Sequence, residues 1–128
     1  MNAANVRGDV VKVATFGSGG ELNIGGNSLI GANTALRLYA EGSNGTINFL
    51  SDVTLQSSNA IIAANTVNIT DGTGVTISGG ETRARVFTNN PNYSIVNGGN
   101  NHNEGAGRFG GAGATTSPFA DRPPLDGP

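Results

Sequence analysis

NSLIGANT at residues 27–34 returns as NAIIAANT at residues 59–66. Asn27, Ile30, Ala32, Asn33 and Thr34 recur as Asn59, Ile62, Ala64, Asn65 and Thr66, at an offset of 32 residues. Self-similarity at a period of a few tens of residues marks a stacked repeat architecture. Working outward, Leu22-Asn23-Ile24 aligns with Val53-Thr54-Leu55, and Leu36-Arg37-Leu38 with Val67-Asn68-Ile69. Ile47-Asn48-Phe49 aligns loosely with Val75-Thr76-Ile77. The offset drifts by a residue or more on either side, as expected where insertions fall at corners.

Most of these pieces read apolar–polar–apolar. Successive strand side chains point to opposite faces, so the outer two residues are expected to be buried and the middle Asn, Arg or Thr wetted. Leu29-Ile30, Ile61-Ile62 and Ala84-Arg85-Val86 are further members. The pieces are shorter than the 5–6 residues usual in a sandwich strand, and Gly, Asn and Ser separate them. Short strands joined by such corners predict a solenoid, in which each coil stacks in parallel on the one before. The number of coils per repeat is left open, with about 20–30 residues per coil typical.

Composition supports this. The 128 residues include 21 Gly, 17 Asn and 21 Ser plus Thr, and Lys occurs once. Gly and Asn enter positive φ at low cost, which suits tight corners. Val, Ile and Thr fill the apolar pieces, which is strand chemistry. The expected class is all-β: a right-handed parallel β-helix with a Gly/Asn/Pro-rich irregular C-terminal tail. Three parts are expected. Residues 1–20 form a lead-in and capping strand (Asp9–Phe16), 21–87 the repeats, and 88–128 a flexible or docking tail. Apolar residues in the tail are isolated, too few to offset chain entropy. Tyr93, Ile95, Val96, Phe109, Phe119 and Leu125 are its candidate anchors.

Composition also excludes functions. With no Cys, disulfides and Cys-based zinc sites are absent. Charged residues are 12% and the net charge is −2. That leaves no electrostatic footprint for nucleic acid and no polybasic patch for a membrane surface. No run approaches the ~18 apolar residues of a membrane span. MNAANVRGDVV at the start lacks a signal-peptide layout, so the sequence is expected either to begin after a signal or to be a slice of a longer secreted protein, the slice being the favoured reading.

The stretch from Gly20 to Gly80, with its LxI and VTI triplets, its NTVNI step and its Gly/Asn corners, resembles the repeat region of filamentous-haemagglutinin-like bacterial exoproteins. The resemblance covers about half the chain. It implies a right-handed parallel β-helix from a long protein exported across the outer membrane of a Gram-negative-type bacterium, acting in adhesion, aggregation or biofilm. Against that family pattern the sequence reads as short, and no N-terminal secretion domain is expected within it.

Candidate chemistry is sparse. Arg7-Gly8-Asp9 is an integrin-type tripeptide, read here as a corner before Val10. Asn44-Gly45-Thr46, Asn68-Ile69-Thr70 and Asn92-Tyr93-Ser94 fit the glycosylation pattern, as expected by chance in so Asn-rich a chain. His102 and Glu104 are too few for a metal site. Asp71 and Glu81 stand beside Gly-rich corners, without the rigid carboxylate pair that glycosidase chemistry needs. Asp71-Gly72-Thr73-Gly74 lacks the repeated array of a calcium-binding solenoid. No catalytic, cofactor-binding or metal-ligating set is assigned, and no enzyme activity is expected.

Asn27/Asn59 and Asn33/Asn65 are expected to stack, either as hydrogen-bonded ladders or as corner residues in the left-handed conformation. A solenoid has open ends. The Asp9–Phe16 strand is expected to cap one, and the Pro-rich tail to cap the other or to lie on a neighbouring molecule. Uncapped ends stack head to tail and grow fibres. The expected function is a structural or adhesive protein, extracellular or on the bacterial surface, that self-associates or meets a neighbouring cell. A carbohydrate-binding or carbohydrate-cleaving β-helix is the alternative. It is disfavoured because the chain has no Trp and only Tyr39 and Tyr93.

Overall fold

The computed structural model describes residues 1–80, 83–96 and 105–126. Thirteen strands run in chain order, with no α-helix among the described residues. They are β1 (Asn5–Thr15), β2 (Glu21–Ile24), β3 (Ser28–Ala40), β4 (Thr46–Phe49), β5 (Val53–Gln56), β6 (Ala60–Ala63) and β7 (Thr66–Ile69). β8 (Gly74–Ser78), β9 (Ala84–Phe87), β10 (Asn90–Asn92), β11 (Ser94–Ile95), β12 (Arg108–Gly111) and β13 (Ala114–Ser117) follow, and a 3₁₀ turn at Phe119–Asp121 ends the series. Every ladder is parallel. The chain is a parallel β-helix, as the short triplets and Gly/Asn corners predict.

The coil has three faces. The first stacks the N-terminal halves of β1 and β3, then β5 and β8. The second stacks the C-terminal halves of β1 and β3, then β6, β9 and β13. The third stacks β2, β4, β7 and β10. β1 and β3 run through the corner between the first two faces, which fuses those faces into one sheet. The Leu29-Ile30 and Leu36–Leu38 pieces, separate in the sequence reading, are therefore one strand.

Inward side chains form a continuous core. Ile30, Leu55 and Val75 lie on the first face, Leu36, Leu38, Ile62 and Val86 on the second, and Ile24, Ile47, Phe49, Val67 and Ile69 on the third. This core is the main stabilising term, because an isolated coil of such short strands has no second layer to bury against.

The octamer match does not mark stacked positions. Asn23 lies 25 residues before its stacked partner Asn48, which lies 20 before Asn68, itself 24 before Asn92. Leu22-Asn23-Ile24 stacks on Ile47-Asn48-Phe49, not on Val53-Thr54-Leu55. Leu36-Arg37-Leu38 stacks on Ala60-Ile61-Ile62. Asn27 and Asn59, and Asn33 and Asn65, therefore do not pair. A coil shorter than 32 residues places the two octamers at different points around the turn. Asn27 does adopt left-handed backbone, with φ 61°, as does Asn44 with φ 57°. Asn59's carbonyl instead accepts from Leu36 N, and Asn65's from Asn89 N and Asn90 N.

The segment from residue 88 onward is structured wherever it is described. β10 and β11 continue the coil, and β12 and β13 pair with β8 and β9. Tyr93, Ile95 and Phe109 are core residues. Sparse apolar anchors suffice because a stack already in place offers strand edges and core slots, so the late strands need not form a core of their own. The Pro-rich end does not cap the stack. It runs down the side of the coil, and its anchors settle on its own chain.

Candidate interaction surfaces

Four Asn side chains form a ladder along the outside of the third face. Asn48 Nδ2 donates to Asn23 Oδ1 at 2.9 Å, Asn68 Nδ2 to Asn48 Oδ1 at 2.8 Å, and Asn92 Nδ2 to Asn68 Oδ1 at 2.6 Å. A parallel in-register stack brings like residues one above another, and an amide can donate upward and accept downward at once. The signal was present in the sequence as x-Asn-x triplets at 22–24, 47–49, 67–69 and 91–93. The irregular spacing and Pro91 concealed it. Asn68 and Asn92 are glycosylation-pattern residues whose amide nitrogens are already donors in this ladder.

On the second face the outward residues alternate differently. Tyr39, Ile61, Ala63 and Phe87 form an apolar stripe, covered by Phe119 and Leu125 and flanked by Ala14. The segment after β13 is a strap across this stripe. Phe119 N donates to Asn89 Oδ1 at 3.2 Å, and Tyr39 Oη donates to Pro123 O at 2.8 Å. Arg122 Nη2 and Nε both reach Glu41 Oε2, at 2.9 and 3.0 Å. The Arg122 guanidinium also lies 3.9 Å from the Phe119 ring centre, and Nη1 donates to Phe119 O. Burial raises the Tyr39 hydroxyl above its usual pKa.

Arg37, the middle residue of its triplet, was expected to be solvated. It is 1% exposed. Its Nη1 donates to Leu36 O and Asn59 O, at 3.0 and 2.8 Å, and burial lowers its pKa. Nη2 is buried without a partner among the described residues.

Arg7-Gly8-Asp9 lies within β1 where the strand turns between the first two faces, a corner before Val10 marked by a register shift between Gly8 and Val10. Arg7 Nη1 donates to Gln56 Oε1 at 3.3 Å and Thr34 Oγ1 donates to Asp9 Oδ1 at 2.6 Å. These residues edge a shallow groove of about 670 Å³ that continues past Gly31, Asn33 and Ser58. Its lining is polar and aromatic-free. Both Tyr39 and Tyr93 are fully buried, so neither offers a platform for a sugar ring.

Asp71 lies in a second shallow cleft with Thr73 and Arg108. Glu81, His102 and Glu104 lie outside the described residues. Among the described residues, no three His, Asp or Glu side chains converge.

The ends of the stack differ. Among the described residues β1 pairs only with β3, leaving an edge of 11 residues unpaired at the N-terminal end. Arg7, Asp9 and Lys12 place charge along it. At the other end, among the described residues, β13 pairs only with β9 and β10 only with β7. Asn90 N donates down to Asn65 O, so alternation puts the Pro91 nitrogen on the outward edge, where it offers no donor. The third face is thus blunted at its C-terminal end, while the second face ends in a strand without proline.

Compared with protein-family models, with curated proteins and with solved structures, the chain matches none.

Proposed function

We propose that this chain is a structural, adhesion-type element of a bacterial surface or secreted protein, and that its coils associate end to end. The observation that carries the reading is the unpaired 11-residue edge of β1 at one end with the unpaired edge of β13 at the other. The C-terminal half of β1 and β13 both belong to the second face and run in the same direction around the coil. A parallel stack can therefore continue from one copy to the next, and a contact of that kind does not close on itself. The resemblance of residues 20–80 to filamentous-haemagglutinin-like repeats supports an extracellular setting. The polar ladder and shallow groove support a surface role rather than catalysis in a cleft.

Glu41 N donates to Thr15 O, so alternation points the Thr15, Val13 and Val11 backbone groups at β3 and the Lys12 group away. Lys12→Pro removes a donor from the open edge without removing one from the fold, as Pro91 does at the other end. Electron microscopy and light scattering of the purified full chain test this. Wild-type particles are expected to lengthen with concentration, and Lys12→Pro particles to remain single. Wild-type protein that stays monomeric at all accessible concentrations would overturn the proposal.

A further inference from the structure

The order of strands on the first face departs from the order of the chain. β12 pairs with β8 on one side and with β11 on the other, so residues 108–111 sit between two strands that precede them in sequence. Gly107 marks the wedge, with its N donating to Ile69 O and its carbonyl accepting from Ser94 N. Two residues before Ser94 there is no insertion, because Asn92 lies directly on Asn68.

Without β12, β11 is the natural occupant of the β8 edge. Ile95 follows Val75 by 20 residues, the same step that separates Asn48 from Asn68. Ile95 and Phe109 also share one column above Val75. Yet the slot is shaped for the later segment. A Cβ on Gly107 would lie 2.4 Å from Thr70 O, and one on Gly111 would lie 2.2 Å from Ile77 O, so these two positions let the chain approach the coil closely. Phe109 then packs edge-on against both Phe49 and Tyr93, with ring centres 6.0 and 4.9 Å apart.

We infer that the β8 edge is a strand-exchange site whose partner is a second copy of this chain, which inserts its own 105–126 segment there. The segment is a self-contained graft. It joins the stack through β12, β13 and the strap, all placed after ten residues, 97–106, of which seven are Gly or Asn. Ten residues reach roughly 33 Å when extended. That spans two stacks whose C-terminal ends face each other, and reciprocal exchange gives a closed two-fold pair. Each copy keeps every contact of the monomer, with β12, β13 and the strap supplied in trans. The inference deepens the self-association proposed above by naming a second, closed mode at the opposite end from β1.

The chain has no Cys, so introduced thiols report without background. Gly110 is in register with Thr76, and a Cβ at Gly110 meets nothing within 4 Å. Full-length Thr76→Cys and Gly110→Cys chains are mixed at high concentration and oxidised, and peptide mass spectrometry reads the disulfide joining positions 76 and 110. Any such disulfide is between copies by design. A mixture of Thr76→Cys with Ser43→Cys measures random collision. Exchange is expected to raise the 76–110 product at least tenfold above that control, in covalent dimers. A yield equal to the control overturns the inference. The double variant Thr76→Cys/Gly110→Cys checks that the pair closes within one chain. Lys12→Pro separates the two modes: end-to-end stacking is lost in it, whereas the 76–110 product persists.

Discussion

At the residue scale, the Asn ladder shows what stacking demands of a side chain. Each interior Asn makes two amide hydrogen bonds, and a neutral bond of this kind contributes about 1 kcal/mol net. Asn68→Ala is expected to lower stability by about 1–2 kcal/mol, read from denaturant unfolding. Paired acids are a sharper probe. Asn48→Asp combined with Asn68→Asp sets two carboxyl groups at hydrogen-bond distance, which raises the folded-state pKa of one of them. Stability of that double variant is therefore expected to rise as pH falls through that raised pKa, whereas Asn68→Ala shows no such recovery. Equal pH dependence in the two variants would contradict the ladder.

Tyr93 gives a second test at this scale. Its hydroxyl is fully buried against Thr116 Oγ1 at 2.6 Å, and burial pushes its pKa up to about 12, the hydrogen bond acting in the opposite sense. The folded state holds this proton more tightly than the unfolded chain, whose Tyr titrates near 10. The contribution is constant below pH 10 and is lost as pH rises from about 10 to 12, by roughly 2–3 kcal/mol in all. Alkaline unfolding of Tyr93→Phe is expected to lack this loss.

At the element scale, the β-strand character of the chain was legible, because Val/Ile/Leu triplets with Gly/Asn corners permit little else. Register was not. NSLIGANT and NAIIAANT resemble each other because both approach a corner, yet coils of 20–25 residues never superimpose positions 32 apart. The strands after residue 88 were equally hidden. Arg-Phe-Gly-Gly and Ala-Thr-Thr-Ser have no strand signature by themselves, and they pair because β8 and β9 present edges. Phe109→Ala is expected to cost about 3–5 kcal/mol, as for other buried aromatics, with a fall in Tm of roughly 10 °C or more. A change under 1 kcal/mol would mean that β12 is not seated in the core. Arg122→Ala removes the ion pair with Glu41 and the cover over Phe119. It is expected to cost about 1–2 kcal/mol, since both partners are mostly shielded from water.

At the scale of the whole molecule, polar ladders and a strapped apolar stripe surround one continuous core, and the two ends are treated differently. Pro91 blunts one face at the C-terminal end, while β1 keeps an open edge that carries three charges. The candidate surfaces were only partly readable from sequence. The Asn residues were visible as a class, but which of them align depends on coil lengths that only the fold sets. The strap was invisible because its partners, Tyr39, Ile61, Ala63 and Phe87, come from three separate strands. Deleting residues 118–128 is expected to expose that stripe and increase binding of a hydrophobic dye while β-type circular dichroism persists.

The most direct measurement is a nuclear Overhauser map of the Asn side-chain amides in the labelled full chain. Contacts linking Asn23 to Asn48, Asn48 to Asn68 and Asn68 to Asn92 are the expected result. Contacts linking Asn27 to Asn59 and Asn33 to Asn65, or a pattern of antiparallel pairing, would contradict the three-faced parallel stack.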